Sequence, residues 1–235
     1  GRLGQAHADF LAVVASRRRR GDLFGQGRGL TNVGIVLKEL GRLDEAVACL
    51  ADSIELVERH GPAGASRVAL CCMAEVHLQA GRHAEASRYA GQSLARSRAH
   101  DDVTGAAYGL AVLGQAQYGL GDLAAAESAL DECIALCRQA HERSDEWEAR
   151  LSRAQVRLRR ENPDGAAEDA RRALEILGDH GDAYGRGAAH RQLARALRAL
   201  GSPTAGTHHH TAAALLGASA TIPNATLETL LGQAP

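Results

Sequence analysis

The chain returns to one phrase at a fixed interval. "LGRLDEA" at 40–46 is followed forty residues later by "AGRHAEA" at 80–86, and forty further on by "LGDLAAA" at 120–126. Such a recurrence restricts the fold severely, because each unit must be one supersecondary element that covers its apolar face with the next copy. Written in rows of forty, the columns agree. One runs Ala6, Ala46, Ala86, Ala126, Ala166. A second runs Gly1, Gly41, Gly81, Gly121, is broken by Glu161 and resumes at Gly201. A third alternates Gly34, Ala74, Gly114, Ala154, Ala194, and Val14, Ile54, Leu94, Ile134 and Leu174 form a large apolar column.

Each unit holds two helical patterns. In 66–80, Leu70, Met73, Ala74 and Val76 share a face; in 83–97, Ala86, Ala90 and Leu94 recur at every fourth position. Gly41, Gly81 and Gly121 suit a left-handed residue closing the first helix. Asp44, Glu45 and Glu85 then enter the first turn of the second, where the helix dipole favours negative charge. In the fourth unit Asn162 is placed to cap and Pro163 to occupy the first helical position. Gly34 and Gly114 lie inside helices, where glycine costs about 0.5–1 kcal/mol relative to alanine. Close approach of the following helix, through the Ala6–Ala166 column, is the expected offset. No stretch alternates like a strand.

An apolar residue and a small one, then an alanine twelve residues on and a large apolar four beyond that, is the pattern Val33-Gly34…Ala46…Leu50 and Leu113-Gly114…Ala126…Leu130. It resembles the tetratricopeptide repeat over about residues 1–200. The usual unit is about 34 residues, and the extra length is expected between hairpins. The long units are similar to those of bacterial regulators, including SARP-type transcriptional activators, and of kinesin light chains and cell-polarity scaffolds. The stretch "HTAAALLGASATI" (210–222) faintly resembles the end of the helical region of the regulators.

The resemblance implies an all-α, right-handed solenoid at 1–217, with a half repeat near 1–20, units near 24–60, 64–100, 104–140, 144–180 and 184–217, and a tail at 218–235. It also implies a concave groove lined by the first helix of each pair. The residues expected to meet a partner there are Arg28, Ile35, Glu75, Tyr108, Gln115, Tyr118, Glu148, Gln155, Arg191, Arg195 and Arg198. Beside them the same faces offer Thr31, Lys38, Val68, Cys71, Leu78, Ala111, Leu151, Leu158 and Ala188. The row Ile35, Glu75, Gln115, Gln155, Arg195 is mostly polar. Arg191, Arg195 and Arg198 share one side of the last first-helix and suit an anion; the alternative is a solvated helix face. Kinesin-like repeats favour Asn where these five stand, and the carboxylate clamp of chaperone-binding repeats is absent, so neither mode of capture carries over.

Other features have bland readings. Arg17–Arg20 form a cationic helix end. His60, His100, His141 and His180 fall near helix ends, and His208, His209 and His210 point in different directions on a helix. Cys133 and Cys137 are expected to be buried thiols and Cys71 the more accessible one, with no disulfide framework among the five cysteines. Asn224-Ala225-Thr226 fits a glycosylation acceptor, but no secretion signal precedes it. In the fourth unit Arg150, Arg153 and Arg157 stand at places apolar elsewhere. Either the helix is rotated around Trp147, or the stems lie over neighbours with their heads exposed, and Glu146 is placed to pair with Arg150.

A net charge of −1 and 3% aromatic residues give no field or stacking platform for nucleic acid, and no run of residues is apolar for long enough to span a membrane. No phosphate loop, zinc-spaced His/Glu pair or nucleophile elbow occurs, so no enzyme, cofactor or metal site is read. The chain opens within its own repeat, without Met, as expected of a fragment. The arginine bias (Lys38 is the only lysine) fits a high-GC bacterial genome. The expectation is a cytoplasmic protein- or peptide-binding scaffold or sensor, part of a larger bacterial transcriptional regulator. The alternative is a self-association module, a homodimer through the apolar side of residues 1–20 or through the tail.

Overall fold

In a computed structural model, residues 2–141, 143–179 and 181–218 are described; they form eleven α-helices and no strand. His180 and residues 219–235, including Asn224, lie outside the described residues. The chain divides into two compact units, Gly1–Leu136 and Cys137–Pro235. The first holds α1 (Arg2–Arg19), α2 (Leu23–Glu39), α3 (Leu43–His60), α4 (Arg67–Gln79), α5 (His83–Ala99), α6 (Val103–Leu120) and most of α7 (Leu123–Ala140). The second holds α8 (Arg143–Arg159), α9 (Pro163–Leu177), α10 (Ala183–Ala199) and α11 (Ala205–Ala218). From α1 to α6 in the first unit, and from α8 to α11 in the second, each helix packs on the next. The first helices also touch one another, α2 on α4 and α4 on α6 in the first unit, and α8 on α10 in the second.

The glycine column closes helices as the local chemistry requires. Gly41 and Gly121 have φ of +72° and +84°; the Gly41 N–H donates to the Lys38 carbonyl (3.0 Å) and the Arg42 N–H to the Leu37 carbonyl (2.9 Å). These two bonds satisfy carbonyls that the helix itself leaves free. Glu161, which interrupts the column, takes the same left-handed conformation at φ +58°, with the Asn162 N–H donating to the Arg157 carbonyl. The backbone bonds therefore hold this turn even where a side chain must accept the strained region. Asp101 and His141 adopt it between hairpins, so these inter-hairpin links are as short as those within hairpins. At these links the length beyond a usual unit stands in helices of 17–18 residues, whereas between α3 and α4 and between α9 and α10 it stands in the longer connections 61–66 and 178–182.

Capping follows residue chemistry. Asn162 accepts from the Gly165 N–H at 3.0 Å with Pro163 starting α9. Asp22, Asp102 and Asp182 do the same for Gly25, Gly105 and Gly185 at 2.8, 2.9 and 2.7 Å. A Cβ at Gly25 would stand 2.2 Å from the Asp22 carboxylate as it is placed, whereas Asp122 makes the same cap to the Ala125 N–H at 3.0 Å.

The small-residue column reveals a second eighty-residue pattern. A Cβ on Gly34 would lie 2.6 Å from Leu50 Cγ, and one on Gly114 2.7 Å from Leu130 Cγ. Leu50 and Leu130 are fully buried. In the intervening repeats Ala74 and Ala90 share one core cluster, and Ala154 and Ala170 another. Glycine against leucine alternates with alanine against alanine, so the large residue on the second helix stands where the first helix has no Cβ. The alanine column comes close as well: the Ala126 carbonyl lies 3.3 Å from where a Gly114 Cβ would stand.

Beside its Ala154–Ala170 crossing the second unit carries a cluster of charges. Arg150, Arg153 and Arg157 converge on Asp169 of α9, which is completely buried. Arg153 binds it at 2.9 and 2.5 Å, Arg157 at 2.9 Å and Arg150 at 3.2 Å; Arg150 also donates to Glu146 at 2.8 and 2.9 Å. The Glu146–Arg150 pair was expected, but the exposed guanidinium heads were not found. They turn inward because Asp169 supplies the charge that makes their burial tolerable. Trp147 packs on the adjoining core and reaches 3.2 Å from where a Gly185 Cβ would stand.

Two histidines are expected to make the fold sensitive to acid. His77 is buried, its ring stacked on Tyr89 at 5.3 Å with Arg88 on the same tyrosine. Burial first, then Arg82 and Arg88, hold its pKa below the ordinary value. His190 meets His208 at 3.0 Å between Nδ1 atoms, and burial, His208 and Arg186 lower it too. A depressed pKa means that the folded state binds fewer protons than the unfolded one. The stabilisation is complete above the ordinary histidine value, about 6.5, and is lost as pH falls through it. The thermal midpoint should therefore drop between about pH 7.5 and 5.5, and His77→Leu should shrink that drop. A midpoint flat over this range in the wild type would contradict the assignment.

Candidate functional site

A cleft of about 620 Å³ opens in the first unit between α1, the amino-terminal half of α2 and the segment leading into α4. Its origin is legible in the residues. Gly61 is extended (φ −99°, ψ 174°) and Pro62 follows; the residue before proline is disfavoured from the helical region. The chain therefore spends six residues between α3 and α4, and α4 has only 13 residues. The turn missing from α4 leaves space, and Ala63, Ala65 and Ala69 do not fill it. Gly29 lets α1 approach, since a Cβ there would meet Val14 at 2.8 Å.

Most charges around the cleft are satisfied internally. Arg17 binds Asp22 at 2.7 Å and Arg67 binds Asp102 at 2.5 Å. Accepting the Gly25 and Gly105 N–H groups, with these arginines alongside, holds both aspartates below the usual carboxylate range. Arg28 differs: it is exposed, its guanidinium lies 6.0 Å from the Phe24 ring, and it makes no ion pair with the described residues. Asn32 is exposed one turn on, and Val68 stands 53% exposed on the opposite wall. Within the described structure the cleft thus offers an unpaired cation, an amide and an apolar wall.

Glu75, expected to be available to a ligand, is engaged across three helices. Its Oε2 accepts from Lys38 Nζ at 2.8 Å, and its Oε1 accepts from the Tyr108 hydroxyl. Burial opposes the Lys38 charge, but Glu75 and Glu39 outweigh it and raise its pKa. Burial and the Glu75 carboxylate push the Tyr108 phenol up. The network ties α2, α4 and α6 together along the row of first helices.

The remaining expected residues are placed as follows. Ile35 is half-buried against the core of the first unit, Gln115 is exposed and Tyr118 half-buried on α6. In the second unit Glu148 is exposed and Gln155 half-buried on α8; Arg191 is half-buried and Arg195 and Arg198 are exposed on α10. Thr31, Cys71 and Leu151, offered for the same faces, are buried. Thr31 meets Ser53 at 2.7 Å. Cys71 is 3% exposed and burial drives its thiol pKa up, so the expectation of an accessible thiol is corrected. Cys49 is the less buried cysteine, and Cys133 and Cys137 are buried as expected. The sequence reading missed the cleft's walls, although the Gly61-Pro62 break signalled them. Among the described residues no cluster of three or more His, Cys, Asp or Glu is placed to hold a metal, and no helix is long and apolar enough to cross a membrane.

Helical hairpins joined in series, with first helices in contact and Gly–Leu and Ala–Ala crossings, define a repeat protein of the tetratricopeptide type. Residues 25–99 and 107–139 each match a model of the tetratricopeptide repeat, and the chain carries repeats of that family. It is 26% identical over 201 residues to the regulatory protein AfsR of Streptomyces griseus, a match covering 86% of this chain and 20% of that protein. The chain thus spans about a fifth of the length of that relative. Among solved structures it is similar in fold to BtubC from P. vanneervenii (TM-score 0.78, 14% identity, 93% of this chain and 92% of that one). It is also similar to a thermophilic TPR protein of Thermus thermophilus (TM-score 0.61, 18% identity, 88% and 97%).

Proposed function

We propose that the chain is the protein-binding repeat region of a larger bacterial regulator, and that the cleft of its first unit takes a partner segment carrying an acidic side chain. The observation that supports this is Arg28: an exposed guanidinium with no carboxylate among the described residues, beside Phe24, Asn32 and the exposed Val68. A carboxylate on Arg28 forms a charge-assisted, two-toothed contact, and an apolar neighbour of that side chain covers Val68. The regulatory reading comes from similarity to AfsR, named a regulatory protein. The site is non-catalytic and intracellular in this reading, and DNA contacts belong to other parts of the regulator. Peptides selected from a random library should be enriched in Asp or Glu, and Arg28→Glu should weaken them at least about tenfold. Selected peptides that lack acidic residues and ignore Arg28→Glu would sink the proposal.

A second reading rests on α1. Leu3 and Leu11 are 43% and 42% exposed, and none of the described α1 residues is buried. Exposed apolar side chains at these two places favour self-association. Under it, light scattering shows a dimer that Leu3→Glu/Leu11→Glu returns to monomer, while peptide binding is unaffected.

A further inference from the structure

Tyr184, Ala188, Arg191 and Arg195 follow one another at four-, three- and four-residue steps on α10, which places them on one face of that helix. Tyr184 is 48% exposed and Arg195 is exposed. Arg191 is half-buried, and its Nε is shut off from solvent and donates to nothing. Neither arginine makes an ion pair with the described residues. Burial, then the neighbouring Arg195 charge, lowers the Arg191 pKa, so the guanidinium is held where its own charge is disfavoured. The Asp169 cluster of the same unit shows the contrast, since three arginines there are met by a buried carboxylate. At Arg191 and Arg195 nothing among the described residues supplies that charge.

We propose that Arg191 and Arg195 form a binding site for a phosphate monoester dianion. The charge balance selects this class. Two guanidiniums carry two positive charges, and a phosphate monoester carries about −1.5 to −2 at pH 7 with three acceptor oxygens. Those oxygens serve both guanidinium forks at once, whereas one carboxylate matches one fork. The exposed Tyr184 ring provides an apolar face for the group that carries the phosphate. The site belongs to the second unit and is independent of the Arg28 cleft, so it stands or falls separately.

Isothermal titration at low salt tests it with phenyl phosphate, inorganic phosphate and benzoate as probes. Phenyl phosphate should bind saturably, at least about tenfold more tightly than benzoate, and Arg195→Gln should weaken it about tenfold or more. Arg195 is exposed, so that variant keeps its fold; Arg18→Gln on α1 should bind like wild type. Arg191→Gln gives an independent check: losing a half-buried unpaired charge should raise the unfolding midpoint while binding is lost. A phosphoserine peptide that binds more tightly than inorganic phosphate identifies a partner's modified side chain as the source; the reverse order identifies a small free phosphate. The proposal is overturned if neither phosphate saturates, if benzoate binds as well, or if Arg195→Gln leaves affinity unchanged.

Discussion

Replacing Asp169 by alanine should lower stability by about 3–5 kcal/mol, because it strands three guanidiniums that have little access to water. Arg150, Arg153 and Arg157 have side chains only 7, 13 and 18% exposed, and Asp169 is 1% exposed. In a chain of this size the thermal midpoint should fall on the order of 10 °C, read by circular dichroism. The same physics gives the opposite result when the whole cluster is removed. The other repeats carry Leu110, Leu113, Leu37, Ala129 and Ala106 where this one has Arg150, Arg153, Arg157, Asp169 and Glu146. Substituting all five by those residues should return the midpoint to wild type or above it, since an apolar contact of similar volume escapes the cost of desolvating ions. A loss below about 1 kcal/mol for Asp169→Ala would show that the carboxylate is not what holds the arginines.

Gly34→Ala should destabilise by about 1–2 kcal/mol, although alanine is the better helix former. The helix gains about 0.5–1 kcal/mol, but the new methyl lies 2.6 and 2.8 Å from two carbons of the fully buried Leu50. Overpacking of that kind costs about 1–3 kcal/mol. Leu50→Ala alone should cost about 2–5 kcal/mol through the cavity it leaves. Together the two changes rebuild the Ala74–Ala90 crossing, so Gly34→Ala should become favourable in the Leu50→Ala background. The coupling in that cycle should be about 1–3 kcal/mol. Gly91 provides the control: nothing lies within 4 Å of its absent Cβ, and Gly91→Ala should stabilise. A Gly34→Ala protein more stable than wild type would refute the crossing.

Much of the fold could be read directly. The left-handed residues at 41, 81 and 121, the Asn162 cap and the buried Ala46, Ala86, Ala126 and Ala166 all express local rules, and they hold where the spacing put them. The candidate site was less legible. Arg28 and Glu75 were both expected on the groove face, from different columns, yet Arg28 has no ion-pair partner in the described structure and Glu75 is bound by Lys38 and Tyr108. The columns do not tell which charge is engaged, because that depends on what the adjacent repeat brings within reach.

The forty-residue recurrence by itself determined the helices, their ends and the small residues at each crossing. Those properties depend on backbone conformation and on contacts at constant sequence separation, which repeat with the sequence. Only the tertiary structure decided that three arginines turn inward to Asp169, that Glu75 is engaged, and that a cleft opens where Gly61 and Pro62 shorten α4. Each of those outcomes depends on where the end of a long side chain meets a group on another helix, and a charge settles wherever its countercharge and its distance from water make its burial tolerable.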